Sequence, residues 1–216
     1  MFRKLMRLLF PPKCLLCGRL LSPEEKDLCT DCRAAPPICQ KSPSKAHFVE
    51  KQTVMWYYTD TVRRCILRYK FYGRRAYCRS LGCLLAARLT EEYPEGLPVL
   101  TWVPISRRRR ITRGYDQTEL LAKQVAKTLG IPAVSTLVKI RHSRPQSSLR
   151  DPAARRANVL GAFKVKNREA LTGKTLLLLD DIITTGATVS ECAKTLLTAG
   201  AKEVHCAALA APYPKK

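Results

Sequence analysis

The sequence predicts an α/β fold in which a mainly parallel sheet is flanked by helices. Leu176 to Leu179 are four consecutive leucines, and a strand without polar alternation is typical of a parallel sheet covered on both faces. After Gly186 the apolar residues recur at helical spacing, at Val189, Cys192, Ala193, Leu196 and Leu197. A strand that turns directly into a helix is the repeating unit of this fold class.

The same alternation recurs through most of the chain. We expect further strands at residues 54–58, 99–104, 134–140 and 203–210. Residues 59–89 have a helical pattern that breaks near Gly73, and a second helix is expected from the capping-box residues Asp116 and Glu119 to Gly130. Residues 141–163 are polar and contain two prolines, which predicts a long functional loop without regular structure.

An acid pair ends the leucine strand. Asp180 and Asp181 follow it directly, and ligands of open α/β sheets bind outside the carboxyl ends of strands. The turn that opens the next helix contains Thr184, Thr185, Gly186, Ala187 and Thr188. Its N–H groups and the helix dipole favour a phosphate, whereas carboxylates accept hydrogen bonds from hydroxyls. A sugar phosphate with a vicinal diol fits both features, and Mg²⁺ can link the acids to the phosphates.

Two alternatives compete with this sugar-phosphate site. The acid pair can be a structural cap for the helix, which requires no ligand. An ATPase requires the pattern GxxxxGK[ST], but Gly173–Thr175 precedes a strand and Arg168 occupies the place of the first glycine. We therefore exclude the ATPase and keep the structural cap as the alternative.

The first cysteines have the spacing of a metal site. Cys14, Cys17, Cys29 and Cys32 form C-x₂-C-x₁₁-C-x₂-C, which predicts a structural Zn²⁺, with two redox-active pairs as the alternative. We place a zinc-binding module and a proline-rich linker at residues 1–45 and the α/β domain at residues 46–216. We expect the larger domain to stay folded when the zinc module does not. Cys39 has no predicted role.

The charge of the chain is strongly positive. Thirty-nine basic residues stand against 17 acidic ones in 216 residues, a formal net charge of +22 that favours a polyanionic partner. Residues 56–77 mix aromatic and basic side chains, as single-strand nucleic-acid binding surfaces do, unless the rings pack in the core. The candidate DNA-binding residues are Arg63, Arg64, Arg68, Arg74, Arg75, Arg109 and Arg110.

The N-terminal segment does not have the pattern of a cleaved leader. Arg7 interrupts its short apolar run, and no stretch of the chain is long enough to be a transmembrane helix. Residues 2–10 can form an amphipathic surface helix. We expect a cytoplasmic protein with reduced thiols.

"LLLLDDIITTGAT" resembles the motif that binds phosphoribosyl pyrophosphate (PRPP) in type I phosphoribosyltransferases. The resemblance implies that Asp180 and Asp181 hold the ribose hydroxyls and that the turn after them holds the 5′-phosphate. It implies that Ser106, Arg107 and Arg108, in the loop before the Asp116 helix, hold the pyrophosphate. It leaves the catalytic residue unidentified, because Thr184 takes the place where enzymes acting on 6-oxopurines commonly have an acid; this departure does not exclude an enzyme.

Several motifs together narrow the resemblance. The paired cysteines, "VPIS", "RGYDQ", "RPQSSLRDPAARRANVLGAF" and the acid-pair motif are similar to the ComF family of competence proteins over nearly the whole chain. That family implies a zinc module joined to a phosphoribosyltransferase-like domain. It also implies handling of single-stranded DNA with a helicase partner during natural transformation. An active phosphoribosyltransferase of nucleotide metabolism is the alternative, with an acceptor that the sequence does not identify.

Overall fold

Four parallel strands form the central sheet. The computed structural model describes residues 11–41, 46–71, 77–141 and 151–214. In spatial order the strands are β1 (Gln52–Tyr57), β6 (Glu203–Ala211), β5 (Thr175–Ile182) and β2 (Val99–Trp102). A separate antiparallel ribbon pairs β3 (Leu137–Lys139) with β4 (Phe163–Val165). The predicted α/β fold with a parallel sheet is confirmed.

Helices cover both faces of the sheet. The helices of the described ranges are α1 (Thr30–Ala34), α2 (Asp60–Phe71), α3 (Tyr77–Glu92), α4 (Arg107–Arg113), α5 (Gln117–Leu129), α6 (Pro152–Val159) and α7 (Ala187–Thr198). Leu177 and Leu179 pack in one core cluster with α3 and α5, whereas Leu176 and Leu178 pack in a second cluster with α7. The leucine strand is therefore apolar on both faces, as its sequence predicts. Among the described helices, none combines the length and hydrophobicity that a membrane span requires.

Two helices lie where the sequence predicts loops. The α6 helix begins within the segment 141–163, because Asp151 accepts hydrogen bonds from the N–H groups of Ala153 and Ala154 and Pro152 occupies the first helical position. The prediction of a structureless loop is wrong for this part, while residues 142–150 lie outside the described ranges.

The arginine-rich segment between β2 and α5 is likewise helical. The hydroxyl of Ser106 accepts a hydrogen bond from the N–H of Arg109, and Gly114 ends the α4 helix in the left-handed conformation at φ 76°. These two caps give helical structure to four consecutive arginines that were expected in a loop.

The N-terminal module packs directly on the α/β domain. Leu15, Leu16 and Leu28 are buried and belong to the same core cluster as side chains of α2 and α3. The hydroxyl of Ser80 on α3 donates a hydrogen bond to the carboxylate of Asp27. The two parts of the chain therefore share one core. From this packing we now expect the larger domain to depend on the state of the zinc module.

We predict that the double change Cys14→Ser and Cys17→Ser lowers the stability of the whole protein. Losing the metal releases the turn that buries Leu15 and Leu16, and each buried leucine contributes about 1.5–3 kcal/mol. Thermal unfolding followed by circular dichroism, with zinc content measured in parallel, checks this. Cys83→Ser, a change at a half-buried thiol on α3, is the control. An unchanged melting temperature in a zinc-free double variant would contradict the shared core.

Candidate functional site

A cleft of about 1040 Å³ opens at the carboxyl ends of the parallel strands. It is lined by Asp180 and Asp181 from β5 and by the complete turn Thr184–Thr188. Side chains of α2, α4 and α5 form the opposite walls. The structure thus brings the acid pair and the helix-opening turn into one site, at the sheet edge where the sequence places them.

The turn before α7 is built for close approach of backbone. Gly186 has a φ of 74°, and a Cβ added there would lie 3.0 Å from the Cα of Ala46. The N–H of His47 donates to the hydroxyl of Ser190 (2.8 Å), and that hydroxyl donates to the carbonyl of Gly186 (2.8 Å). Residues 46–47 therefore support the turn from behind. The first turn of a helix has N–H groups without intrahelical acceptors, which suits an anion in the cleft.

Asp181 is buried and already engaged. Its Oδ2 lies 2.8 Å from Nζ of Lys70 and accepts a hydrogen bond from Nε2 of Gln117, also at 2.8 Å. A buried carboxylate needs such partners, because water no longer solvates its charge. A ligand hydroxyl that donates to Asp181 must therefore share this oxygen with Lys70 and Gln117 or use Oδ1.

Asp180 lies in surroundings that disfavour its ionised form. Burial raises the pKa of Asp180 to about 8, and the adjacent charge of Asp181 adds to the rise. Its Oδ1 accepts the N–H of Asp181 at 2.8 Å, which opposes the rise. The raised pKa favours the protonated carboxyl, so a cation that binds there favours release of the proton.

Cations outnumber carboxylates around the cleft. Among the described residues, the basic side chains that line it are Arg63, Lys70, Arg108, Arg109, Arg113, Lys139 and Arg155. Burial lowers the pKa of Arg109 and of Lys139, and a neighbouring guanidinium lowers each further. Such crowding of like charges favours a ligand with several negative charges.

The arginines of α4 that line the cleft are not the ones that the sequence assigned to the pyrophosphate site. Arg108 and Arg109 both line the cleft, although Arg109 was assigned to a nucleic-acid surface. Ser106 is buried as the helix cap, and Arg107 and Arg110 are exposed and do not appear among the lining residues. Two of the three residues predicted for the pyrophosphate therefore lie beside the cleft rather than on its described lining.

The predicted DNA-binding residues of α2 differ in exposure and in the groups that they contact. Arg63 and Arg64 are exposed, and Arg63 lines the cleft as well. The Arg68 guanidinium instead donates hydrogen bonds to backbone carbonyls of the zinc module. Arg74 and Arg75 lie outside the described residues.

Two of the five described aromatic side chains in residues 56–77 lie in the interior, and the other three are half-buried. Trp56 and Tyr69 are buried in the core, and the rings of Tyr57 and Tyr213 stack with centroids 4.4 Å apart. Tyr58 lines the cleft. The alternative that the rings pack in the core therefore holds for Trp56 and Tyr69, and these two rings are not available for stacking on bases.

Sequence reasoning missed the partners of the acid pair. Gln117 stands one residue after the N-cap Asp116, and the start of a helix that follows a parallel strand lies near the carboxyl edge of the sheet, so its position was open to inference. Lys70 gave no such signal. It reaches Asp181 only because the folded chain brings the last turn of α2 near the end of β5.

The four N-terminal cysteines converge. Their sulfur atoms all lie within 4.8 Å of one another, and Sγ of Cys17 and Cys29 are 3.7 Å apart. A tetrahedral Zn²⁺ with Zn–S bonds of about 2.3 Å places its sulfurs about 3.8 Å apart, so the thiols fit the ion. The N–H of Cys32 lowers the pKa of the Cys29 thiol to about 6, which favours the thiolate that zinc requires. The cluster supports a structural zinc.

Family models match both parts of the chain. A model described as phosphoribosyl transferase domain matches residues 118–215, which include β5 and the turn before α7. A model described as double zinc ribbon domain matches residues 5–46, which include the cysteine cluster.

Relatives that match most of the chain carry names that refer to competence and to DNA utilization. Competence protein F of Haemophilus influenzae is 26% identical over 224 residues, covering 92% of this chain and 96% of the relative. Competence protein ComFC of Bacillus subtilis is 27% identical and covers 84% and 82%. DNA utilization protein YhgH of Salmonella typhi is 30% identical over 182 residues, covering 82% and 74%.

We predict that Asp180→Asn stabilises the empty protein near pH 8. Because the pKa of Asp180 is higher in the folded state than in the unfolded chain, the folded state binds more protons and parent stability falls between about pH 4 and 8. The variant lacks this loss, and a gain of ~1 kcal/mol raises the melting temperature by about 2–4 °C. Melting curves at pH 5 and pH 8 measure the difference, with Glu95→Gln as an exposed control. A variant that melts below the parent at pH 8 would contradict the raised pKa.

Proposed function

The chain belongs to the ComF family of competence proteins, and from that membership we propose that it binds Mg²⁺–PRPP in its cleft and handles single-stranded DNA in the cytoplasm. The observation that carries the proposal is the joint lining of one cationic cleft by the acid pair and the helix-opening turn. A competence helicase is the partner that the family suggests.

The charges of the cleft support a polyphosphorylated sugar. The diol of PRPP donates to the carboxylates of Asp180 and Asp181, and its 5′-phosphate accepts from the turn Thr184–Thr188. Its pyrophosphate lies toward Arg108 and Arg109, where guanidinium groups bind phosphate through paired hydrogen bonds. The Mg²⁺ enters as part of the ligand and offsets the negative charge that the acids and the phosphates bring together.

The raised pKa of Asp180 supports a pH-dependent role for that metal. Mg²⁺ takes oxygen ligands and favours the ionised carboxylate, so loading the cleft near pH 7 releases a proton from Asp180. The affinity for Mg²⁺–PRPP is therefore expected to rise between pH 6 and pH 8 and to level off above the pKa.

The excess of positive charge supports a DNA-binding role. One small polyphosphate uses only part of a net charge of +22, and Arg63 and Arg64 present guanidinium groups to solvent beside the cleft. Phosphate contacts by such side chains give sequence-independent affinity, because bound counterions are released. The name DNA utilization protein, carried by a relative, agrees with this assignment.

An active phosphoribosyltransferase is the second candidate, favoured by the size of the cleft. A volume of about 1040 Å³ leaves space for an acceptor beside PRPP. Thr184 lines the cleft but is a poor general base, so the acceptor must need little help in losing a proton. Pyrophosphate release from Mg²⁺–PRPP with a panel of bases and amines distinguishes turnover from binding alone.

We predict that Asp180→Asn combined with Asp181→Asn weakens Mg²⁺–PRPP binding without unfolding the protein. Each lost charge-assisted contact is worth ~1.5–3 kcal/mol, which is on the order of tenfold to a hundredfold in affinity. Titration calorimetry measures the change, and Glu203→Gln at the opposite end of the sheet is the control. Equal affinities in the double variant and the parent would refute the site.

We predict non-specific binding of single-stranded DNA whose affinity falls linearly with salt on a log–log plot. Replacing Arg63 and Arg64 by Ala should reduce the slope by roughly one for each phosphate contact removed. Arg68 is left unchanged, because its guanidinium holds the zinc module. Fluorescence anisotropy with an oligonucleotide makes the measurement.

The control for this test removes the same charge elsewhere. Lys194→Ala with Lys202→Ala changes two exposed cations on α7 and before β6. An equal slope change in both double variants would count against a DNA surface on α2. No binding by the parent even at low salt would leave the metabolic enzyme as the better account.

A further inference from the structure

Helix α2 contacts both the zinc module and the cleft. Its last turn contains Arg68, Tyr69 and Lys70, and the three side chains contact different parts of the protein. Arg68 reaches the zinc module, Tyr69 is fully buried in the core, and Lys70 reaches the acid pair. One turn of helix therefore contacts two sites that the sequence treats as separate.

Arg68 donates hydrogen bonds to the turn between Cys14 and Cys17. Its Nη2 donates to the carbonyl of Leu15 at 2.8 Å and to the carbonyl of Leu16 at 3.1 Å. These two carbonyls lie between the zinc-ligand positions 14 and 17. A Cβ added at Gly18, where φ is 82°, would lie 3.1 Å from Nη1 of Arg68, so the glycine leaves room for the guanidinium.

Lys70 forms a buried ion pair with one member of the acid pair. Its Nζ lies 2.8 Å from Oδ2 of Asp181, and the two side chains are only 16% and 9% exposed. The hydroxyl of Tyr69 donates to the carbonyl of Gln117 at 2.6 Å, while the Gln117 amide donates to Asp181. The end of α2 and the acid pair are thus joined by an ion pair and a hydrogen-bonded side chain.

We propose that zinc binding and ligand binding in the cleft are coupled through α2, with Arg68 and Lys70 as positioning residues. Zinc fixes the turn between positions 14 and 17, and that turn fixes the carbonyls that hold Arg68. Arg68 then fixes the last turn of α2, and with it the place of Lys70. The ligand part of this inference rests on the proposed function, with Mg²⁺–PRPP as the ligand.

The direction of the coupling follows from charge. Lys70 lines the cleft, so the negative charge of a phosphorylated ligand attracts its ammonium group in addition to the attraction by Asp181. The ligand therefore holds Lys70 and α2 more firmly, and Arg68 stays on its two carbonyls. Bound zinc and bound ligand favour the same position of the helix.

Because linkage is reciprocal, the coupling can be measured as a change in zinc affinity. If zinc strengthens ligand binding by some factor, the ligand strengthens zinc binding by the same factor at equilibrium. We expect a factor of about five or more, in the usual range for coupled sites. The measurement is zinc affinity by competition with a zinc-selective chelator, with and without saturating Mg²⁺–PRPP.

Matched variants test whether the coupling between zinc and ligand depends on Arg68 and Lys70 of α2. Arg68→Met removes the donors but keeps an apolar stem, and zinc affinity in this variant should no longer respond to the ligand. Arg64→Met, one helical turn earlier and exposed, should respond as the parent does. Lys70→Met leaves the contacts of Arg68 intact, and it should bind zinc normally yet lose the response. Lys70→Gln, which keeps a donor for the buried carboxylate of Asp181, keeps the test valid if Arg68→Met or Lys70→Met does not fold.

Calorimetry of Mg²⁺–PRPP binding to the parent distinguishes a failure of the proposed function from a failure of the coupling between zinc and ligand. Binding that leaves zinc affinity unchanged overturns the coupling and leaves the proposed function standing. Absence of binding overturns the proposed function together with the coupling. A response in Arg68→Met or Lys70→Met as large as in the parent overturns the route through α2.

Discussion

The buried carboxylate of Asp181 is the constraint on which the arrangement of the cleft depends. A carboxylate that is 9% exposed at the end of an apolar strand needs a cation and a hydrogen-bond donor. Lys70 and Gln117 supply them from two different helices, so α2 and α5 must both meet the carboxyl end of β5. The acid pair is thus a structural centre as well as a candidate ligand site, but its structural role is the pairing of Asp181 with Lys70 and Gln117 and not the helix cap that the sequence allowed, because no described side chain caps α7 at Gly186.

Features encoded locally were predictable, and features that depend on tertiary contacts were not. The leucine strand, the turn at Gly186 and the cysteine pairs each follow from a short pattern whose chemistry is local. Lys70 could not be assigned to Asp181, because no sequence spacing relates the end of α2 to the end of β5. Arg109 was placed at the surface because its orientation depends on α4, a helix that the run of arginines concealed.

The helices missed by sequence reasoning share one cause. Both α4 and α6 are short and begin with a side chain that accepts backbone N–H groups, Ser106 in one and Asp151 in the other. Charge and proline content in these segments suggested loops. The capping residues were visible in the sequence and carried more information about local structure than composition did.

Positive charge on α2 extends from the cleft to the exposed surface. Arg63 is exposed and also lines the cleft, and the next residue, Arg64, is exposed. A strand of DNA on α2 and a polyphosphate in the cleft would therefore share part of one electrostatic field. The zinc module contributes through Arg68, which is used for structure and is not part of that exposed surface.

Hydrogen–deuterium exchange with and without Mg²⁺–PRPP tests the central claim most directly, because it reports which backbone amides the ligand protects. The account predicts slower exchange in the turn Thr184–Thr188 and in the first turn of α7. It also predicts slower exchange at the end of α2, where Lys70 meets Asp181. Ligand binding that protects neither the turn nor the end of β5 would contradict the assignment of this cleft as the PRPP site.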